Sequence, residues 1–257
     1  MRAKDFWQNI YRESDPFISA RRIAKKVKSS SKKALASNDS ANSAVKYIWI
    51  HVTGEGLQHE PSAEQTLSTE EWLNIIDESA ALGAEWMVIY VGSTLAQHPE
   101  VWQLCDWAQT AHGLHVGLHL SNSCLSESDI EHLGQLDLEK TYLIGQEKTL
   151  DSLRFLSTLG VKLCDSKVCL DDQAGPCSSP EAMACVAPDG TLYSCGFVLG
   201  NNDFTLGDAR GEILAGVMSD DSLPRKVDTS SVPHHHGCDA CPPHIAHRII
   251  GNLASNS

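Results

Sequence analysis

Nine cysteines punctuate this chain of 257 residues, and four of them are spaced to share one centre. Cys177, Gly190 and Cys195 read C-x12-G-x4-C, and Cys238 and Cys241 form a later C-x2-C. A two-residue loop turns both thiols of a C-x2-C the same way, so the pair can bite one metal. Residues 184–195 alternate as a hairpin does, with Pro188-Asp189-Gly190 as the turn. Gly190 accepts a positive φ there, and the returning strand delivers Cys195. Four thiolates so placed suit one [4Fe–4S] cluster or, alternatively, a structural zinc, with Cys177, Cys195, Cys238 and Cys241 as the expected ligands. The plain alternative is a set of buried free thiols packing as small hydrophobes. Cys105, Cys124, Cys164, Cys169 and Cys185 are most simply core or surface residues, but Cys185 lies close enough to the motif to be an alternate ligand. His234, His235, His236, His244 and His247 ring the C-x2-C; they read as a polar rim, although one imidazole can replace a thiolate.

The elements that must position these groups are regular from residue 47 onward. Residues 47–52 (YIWIHV) and 86–91 (WMVIYV) are short apolar runs of the buried-strand type. Between them Ser68 and Glu71 form a capping box, Leu67 and Trp72 its hydrophobic staple, and Gly83 the stop. Pro99 opens a second helix whose apolar face is Val101, Trp102, Cys105 and Ala108, up to Gly113. Strands follow at 114–120, 141–144 and 161–164. Ser126 and Asp129 repeat the capping-box pattern, Gly134 terminates that helix, and a helix over 149–159 ends at Gly160. Strands alternating with capped helices predict βαβ units on a parallel sheet, too few for a closed eight-stranded barrel. Function in such folds gathers at the C-terminal strand ends: 51–59, Gly92 to Thr94, 121–123 and the segment after Cys164. The six tryptophans fall mostly on apolar faces and read as core.

Composition bounds the rest. Residues 1–46 hold 11 Lys and Arg against 4 Asp and Glu, and the remainder 9 against 29, within a net charge of −13. The basic cluster from Arg21 to Lys33 is interleaved with Ile18, Ile23, Ala24 and Val27, so this arm can meet an acidic surface or fold back on the acidic body. Serine-rich stretches beside it read as a linker. The expected divisions are therefore a basic helical arm and linker at 1–45, an α/β part at 46–165 and a cysteine-bearing part at 166–257. No apolar run reaches the roughly 20 residues of a membrane span, and no signal segment is evident. Nine cysteines without one suggest a reducing, cytoplasmic setting. The acidic body argues against extended nucleic-acid contact. No phosphate-binding glycine loop, G-x-S-x-G or H-E-x-x-H occurs.

Strand, long loop, an LSTEEW helix ended by LG, strand, VGSTLAQHPE, a helix ended by HG, then LHVGLHLSN: this order resembles the first half of the radical S-adenosylmethionine (radical SAM) barrel. VAPDGTLYSC, FTLGDARGEIL and the C-terminal cysteines resemble the auxiliary-cluster region of the SPASM and twitch subfamilies of that superfamily. The resemblance spans roughly residues 46–247. It implies a partial parallel (β/α) barrel with a small C-terminal iron–sulfur domain, and one auxiliary [4Fe–4S] cluster on Cys177, Cys195, Cys238 and Cys241.

Two departures redirect the expected function. Members of that superfamily carry C-x3-C-x2-C after strand one; here that loop, 51–60, contains no cysteine. Their G-G-E-P after strand two is Val91-Gly92-Ser93-Thr94, without its acid. The resemblance therefore implies a degenerate member without S-adenosylmethionine (SAM) chemistry, a pseudo-enzyme acting as binding or electron-transfer partner in peptide modification or cofactor maturation. Two alternatives stay open: an active enzyme with an atypical site, and a zinc-stabilised α/β protein of unrelated activity. His51, Glu55, His59 and Glu60 are a weaker metal set at the first strand end, in spacing that fits no established pattern.

Overall fold

The computed structural model describes residues 45–255, apart from 56–60, 63, 94, 122–124, 167–175, 178, 225 and 229–240. The basic arm, Cys124, Cys169, Cys238, His59, Glu60 and His234 to His236 lie outside the described residues.

The chain runs β1 (Tyr47–His51), α1 (Thr69–Ala81), β2 (Trp86–Tyr90), α2 (Glu100–His112), β3 (His115–Leu120), α3 (Glu127–Leu133), β4 (Thr141–Gly145), α4 (Glu147–Ser152) and β5 (Lys162–Asp165). Then come β6 (Pro176–Cys177), β7 (Met183–Val186), β8 (Thr191–Tyr193), β9 (Thr205–Asp208), α5 (Leu214–Met218), β10 (Val227–Asp228) and α6 (Pro242–Ser255). One eight-stranded sheet has the order β5-β4-β3-β2-β1-β7-β8-β9, and β6 pairs separately with β10. All pairs from β5 to β1 are parallel, as the alternation of strands and helices requires. β7 also lies parallel to β1, while β8 and β9 return antiparallel. One mixed sheet therefore carries both the βαβ units and the cysteine hairpin.

Both capping boxes form. Ser68 and Ser126 accept the amides of Glu71 and Asp129, and those carboxylates accept the Ser68 and Ser126 amides in return. Asp129 is buried because its second oxygen also accepts the Trp102 indole N–H at 3.2 Å, pinning α3 to α2. Asp77 of α1 likewise receives the Trp107 indole N–H at 2.6 Å and meets His112 Nε2 at 2.6 Å, joining α1 to α2. The helix expected over 149–159 departs from expectation. It is α-helical only to Ser152 and continues as a 3-10 helix, Arg154–Leu159. Leu150, Leu153 and Leu156 are buried across both parts, an every-third-residue spacing that suits a three-residue turn and is also compatible with an α-helical face.

The strand period of two sorts the core into two faces. Ile48, Ile50, Met87, Ile89, Val116 and Leu118 face the helical layer with Trp72, Ile76, Leu104 and Cys105. Trp49, Trp86, Val88, Tyr142, Ile144, Cys164 and Cys185 line the opposite, inner face. Ile245 and Ala246 of α6 are buried against that inner face. No helix among the described residues is long and apolar enough to cross a membrane.

Because Asp129 both caps α3 and holds Trp102, Asp129→Ala should cost more than Ser68→Ala. Loss of the Ser68 cap is expected to cost about 1 kcal/mol and loss of Asp129 about 2 kcal/mol or more. Urea midpoints of the two variants check the order.

Candidate metal centre

The hairpin turn forms as its sequence dictates. Gly190 has φ 89°, its amide donates to the Ala187 carbonyl at 3.0 Å, and Asp189 Oδ1 accepts the Thr191 amide at 3.0 Å. The turn is fixed to the helical layer, since the Pro188 carbonyl accepts the Leu67 amide at 2.7 Å. Beyond the hairpin, Arg210 reaches Glu71 at 3.2 Å, and the Glu78 carboxylate accepts the Leu214 amide at 2.8 Å. The segment that bears the thiols is thus anchored to α1 at several points.

Of the four expected ligands, the structure describes the side chains of two. Cys195 follows β8 and Cys241 precedes α6; both are buried on the inner face. The Cys241 carbonyl accepts the Ile245 amide at 3.0 Å, so Cys241 occupies the N-terminal end of the helix, where the dipole favours a thiolate. Cys177 is described only by its backbone, which pairs with Val227; Val227 itself belongs to the inner-face core. Cys238 lies outside the described residues. Cys185 is fully buried in the middle of β7, opposite Trp49 on one side and Tyr193 on the other. Burial raises its thiol pKa well above the usual value, and Cys195 and Cys241 nearby raise it further. Three buried thiols therefore meet on one face. Cys105 is buried instead on the helical face, and Cys164 lies on the inner face at β5.

The donor set fits a soft-metal centre in kind: buried thiols, one of them at a helix N-terminus. Spacing narrows the fit. A tetrahedral zinc draws its sulfurs to about 3.8 Å of one another, given Zn–S bonds of about 2.3 Å. Among the described residues no group of three or more His, Cys, Asp or Glu is set to hold an ion. A cluster places each thiolate on a different iron and tolerates a wider spread of sulfurs.

The C-terminal strand ends carry a second feature, of which the sequence singled out His51 alone. His51, Tyr90 and His119 stand side by side on β1, β2 and β3, with ring centroids 5.1 and 5.2 Å apart. Burial, with His119 nearby, holds the His51 imidazole down to about 3, and burial holds His119 down to about 4. Trp49 Nε1, His51 Nε2, His119 Nδ1 and Ser166 Oγ are buried without a hydrogen-bond partner among the described residues. Gly196, next to Cys195, comes so close that an added Cβ would lie 2.8 Å from His51 Nε2 and from Trp49 Cζ3. The shared parity of Trp49 with His51, and of His115 with His119, was the available signal.

Glu55 alters the reading of the strand-two loop. Its carboxylate accepts the Ser93 amide at 2.6 Å, and a side chain at Gly92 would collide with it. A carboxylate from the loop after β1 therefore stands beside residues 92 and 93. The structure shows His51 buried and Glu55 exposed at Ser93; it brings no third metal-binding side chain to them among the described residues. His244 and His247 sit on α6, His247 exposed. A cavity of about 380 Å³ lies at the opposite, N-terminal strand ends, lined by Glu85, Trp86, His112, His115, Tyr142 and Ile249.

The fold has solved counterparts. BtrN, in a crystal structure in complex with AdoMet and 2-DOIA, matches at a TM-score of 0.51 and 14% identity over 72% of this chain and 85% of its own. The likeness is one of fold. The α/β architecture of this chain resembles the partial barrel of radical SAM proteins. SuiB of Streptococcus suis matches at a TM-score of 0.45 and 10% identity, over 70% of this chain and 66% of its own, a score too low to argue from. No family model and no curated protein matches the chain.

His51 and His119 both bind a proton more weakly in the folded chain than at their ordinary value of 6.5. Their neutral burial is therefore without penalty above about pH 6.5, and stability falls as pH drops below it towards the folded values. At about 1.4 kcal/mol per unit, the two together make this loss steep. His51→Phe should flatten the decline in urea midpoint between about pH 6.5 and pH 4.5.

Proposed function

We propose that this chain is an iron–sulfur protein that holds one [4Fe–4S] cluster on the inner face of its sheet and serves as a binding or electron-transfer partner rather than as a radical enzyme. The observation that carries the reading is the meeting of Cys185, Cys195 and Cys241 in one buried cluster of side chains, with the backbone of Cys177 paired beside it. Cys195 and Cys241 are two of the four thiolates the C-x12-G-x4-C and C-x2-C motifs supply; Cys177 and Cys238 are the others. Such a cluster, when bound, supplies one-electron chemistry and ties distant segments together. The chain's part is to bury the thiols, exclude water with Trp49, Tyr193 and Ile245, and fix the hairpin to α1.

The strand-one loop argues for a non-catalytic role, because it offers no thiolate to a second cluster. A peptide or protein in a modification or maturation system is the partner class this implies. The basic arm adds a surface for an acidic partner.

A second reading is favoured by Glu55. BtrN was solved in complex with AdoMet, and a carboxylate beside Gly92 and Ser93 can meet an amino group at a strand end. In that reading the chain binds SAM without cleaving it reductively.

Iron and sulfide analysis of anaerobically purified protein, with its visible spectrum, tests the first reading: a broad band near ~400 nm is expected, and colourless, zinc-loaded protein would sink it. Cys195→Ser should lose the band, because a hydroxyl is a poor iron ligand at neutral pH. Equilibrium dialysis with SAM tests the second reading. Formation of 5′-deoxyadenosine by the reduced protein, above a protein-free control, would show that the non-catalytic assignment is wrong.

A further inference from the structure

We propose that the cavity at the N-terminal strand ends is a binding site for a small aromatic amine in its ammonium form. None of its described lining residues is a cysteine, so the inference stands apart from the cluster reading. Its volume of about 380 Å³ falls within the ~300–1,000 Å³ of small-molecule sites. The floor is aromatic, because parallel strands in register set rings of one parity side by side. Trp86 and His115, partners on β2 and β3, stack at 4.3 Å with 14° between their planes. Tyr142 of β4 follows, 5.3 Å from Trp86 and 6.0 Å from His115, and its hydroxyl meets His115 Nδ1 at 3.4 Å. Ile249 of α6 adds an apolar wall, and His112 is held in place by Asp77 at 2.6 Å.

The charges around this floor select the ligand. Glu85 lines the cavity and is exposed, and its carboxylate has no hydrogen bond or ion pair among the described residues. After burial, Glu85 is the larger cause that raises the Tyr47 hydroxyl pKa, so its charge reaches the inner face. Burial, Lys140 and Lys162 lower the His115 imidazole against the opposing pull of Asp137 and Glu85, so at neutral pH His115 adds no positive charge to the floor. His112 is the last residue of α2 and Gly113 its left-handed cap, which sets the negative end of a helix dipole beside the lining. The two nearby lysines are engaged: Lys140 Nζ donates to the Gly113 carbonyl at 3.0 Å, and Lys162 Nζ lies 3.1 Å from the Glu139 carboxylate. Lys162 Nζ also stands 5.3 Å over the Tyr142 ring, so the far end of the aromatic row already holds an ammonium. The amine repeats that contact at the near end, its head beside Glu85 and its ring against Trp86, His115 and Ile249. An anionic ligand would meet Glu85 and the helix end as like charges, and a purely apolar one would desolvate the carboxylate without a partner.

Calorimetric titration of the full-length, anaerobically purified protein with phenethylammonium, phenethyl alcohol and phenylacetate compares three probes that share a ring and differ in charge. Phenethylammonium should bind once per chain, about 3–5-fold more tightly than the alcohol, with phenylacetate weaker still. A rise of the thermal midpoint with the ammonium probe is the second readout. Glu85→Gln should remove the preference, so that ammonium and alcohol bind alike. Glu131→Gln, at an exposed carboxylate on α3, should keep it. Both substitutions are at exposed positions, and thermal midpoints without probe show whether each variant is folded. Absence of saturable binding by phenethylammonium at millimolar concentration overturns the site, as does equal affinity for the three probes. An undiminished preference in Glu85→Gln overturns it too. So does a preference lost equally in Glu131→Gln, because the discrimination then comes from the net negative charge of the chain.

Discussion

The parallel pairing of β7 with β1 is the constraint on which the candidate centre depends. Trp49 stands opposite Cys185, and Tyr47 opposite Met183, so the hairpin is registered against the first strand of the βαβ layer. A slip of one residue would turn Cys185 outward to the helices and bring Ala184 inward. The register is held from outside the pair as well. The Pro188 carbonyl takes the Leu67 amide, and Arg210 and Glu78 bind the chain beyond the hairpin to α1. The thiol-bearing hairpin is therefore positioned by the capped helix α1, whose own entry is fixed by Ser68 and Glu71.

The local elements were legible in the sequence because their signals are local. Capping boxes at Ser68 and Ser126, left-handed stops at Gly113 and Gly160, and the Pro188-Asp189-Gly190 turn each depend on a few adjacent residues. The five parallel strands followed from short apolar runs between helices. The placement of the hairpin did not follow, because nothing within residues 183–195 states which strand it will join. The parallel layer has edges at both β1 and β5, and the hairpin joins β1, a choice that depends on contacts far apart in sequence. The limit of the α4 helix was misread for a different reason. Leu150, Leu153 and Leu156 fit an apolar face in either helix type, so the pattern alone does not choose between them.

The site was legible in part for the same reason. Motif spacing named Cys195 and Cys241, with Cys185 as an alternate ligand; the structure buries all three on one face, through strand parity and register that spacing does not state. Glu55 shows the converse. The loop after β2 lacks an acid in sequence, yet a carboxylate reaches Ser93 from a different loop, 38 residues earlier.

The inner face is divided along the strands, and the division bears on what a ligand there can be. Its middle is closed by Ile245 and Ala246 of α6. Its N-terminal end opens into the cavity beside Trp86 and His115, whose rings stack at 4.3 Å. Its C-terminal end carries the imidazoles of His51 and His119, held neutral by burial, and the Trp49 and Ser166 atoms that have no hydrogen-bond partner among the described residues. Buried polar atoms without partners cost about 1–3 kcal/mol each, so water or a ligand with acceptor oxygens is the natural complement at that end. Gly196 joins this end to Cys195, because the absence of a side chain lets the segment rest against His51 and Trp49. Cys241 stands at the head of α6, α6 packs on β1 and β2, and β1 ends at His51, so a single packed layer joins the thiol at the helix start to the strand ends.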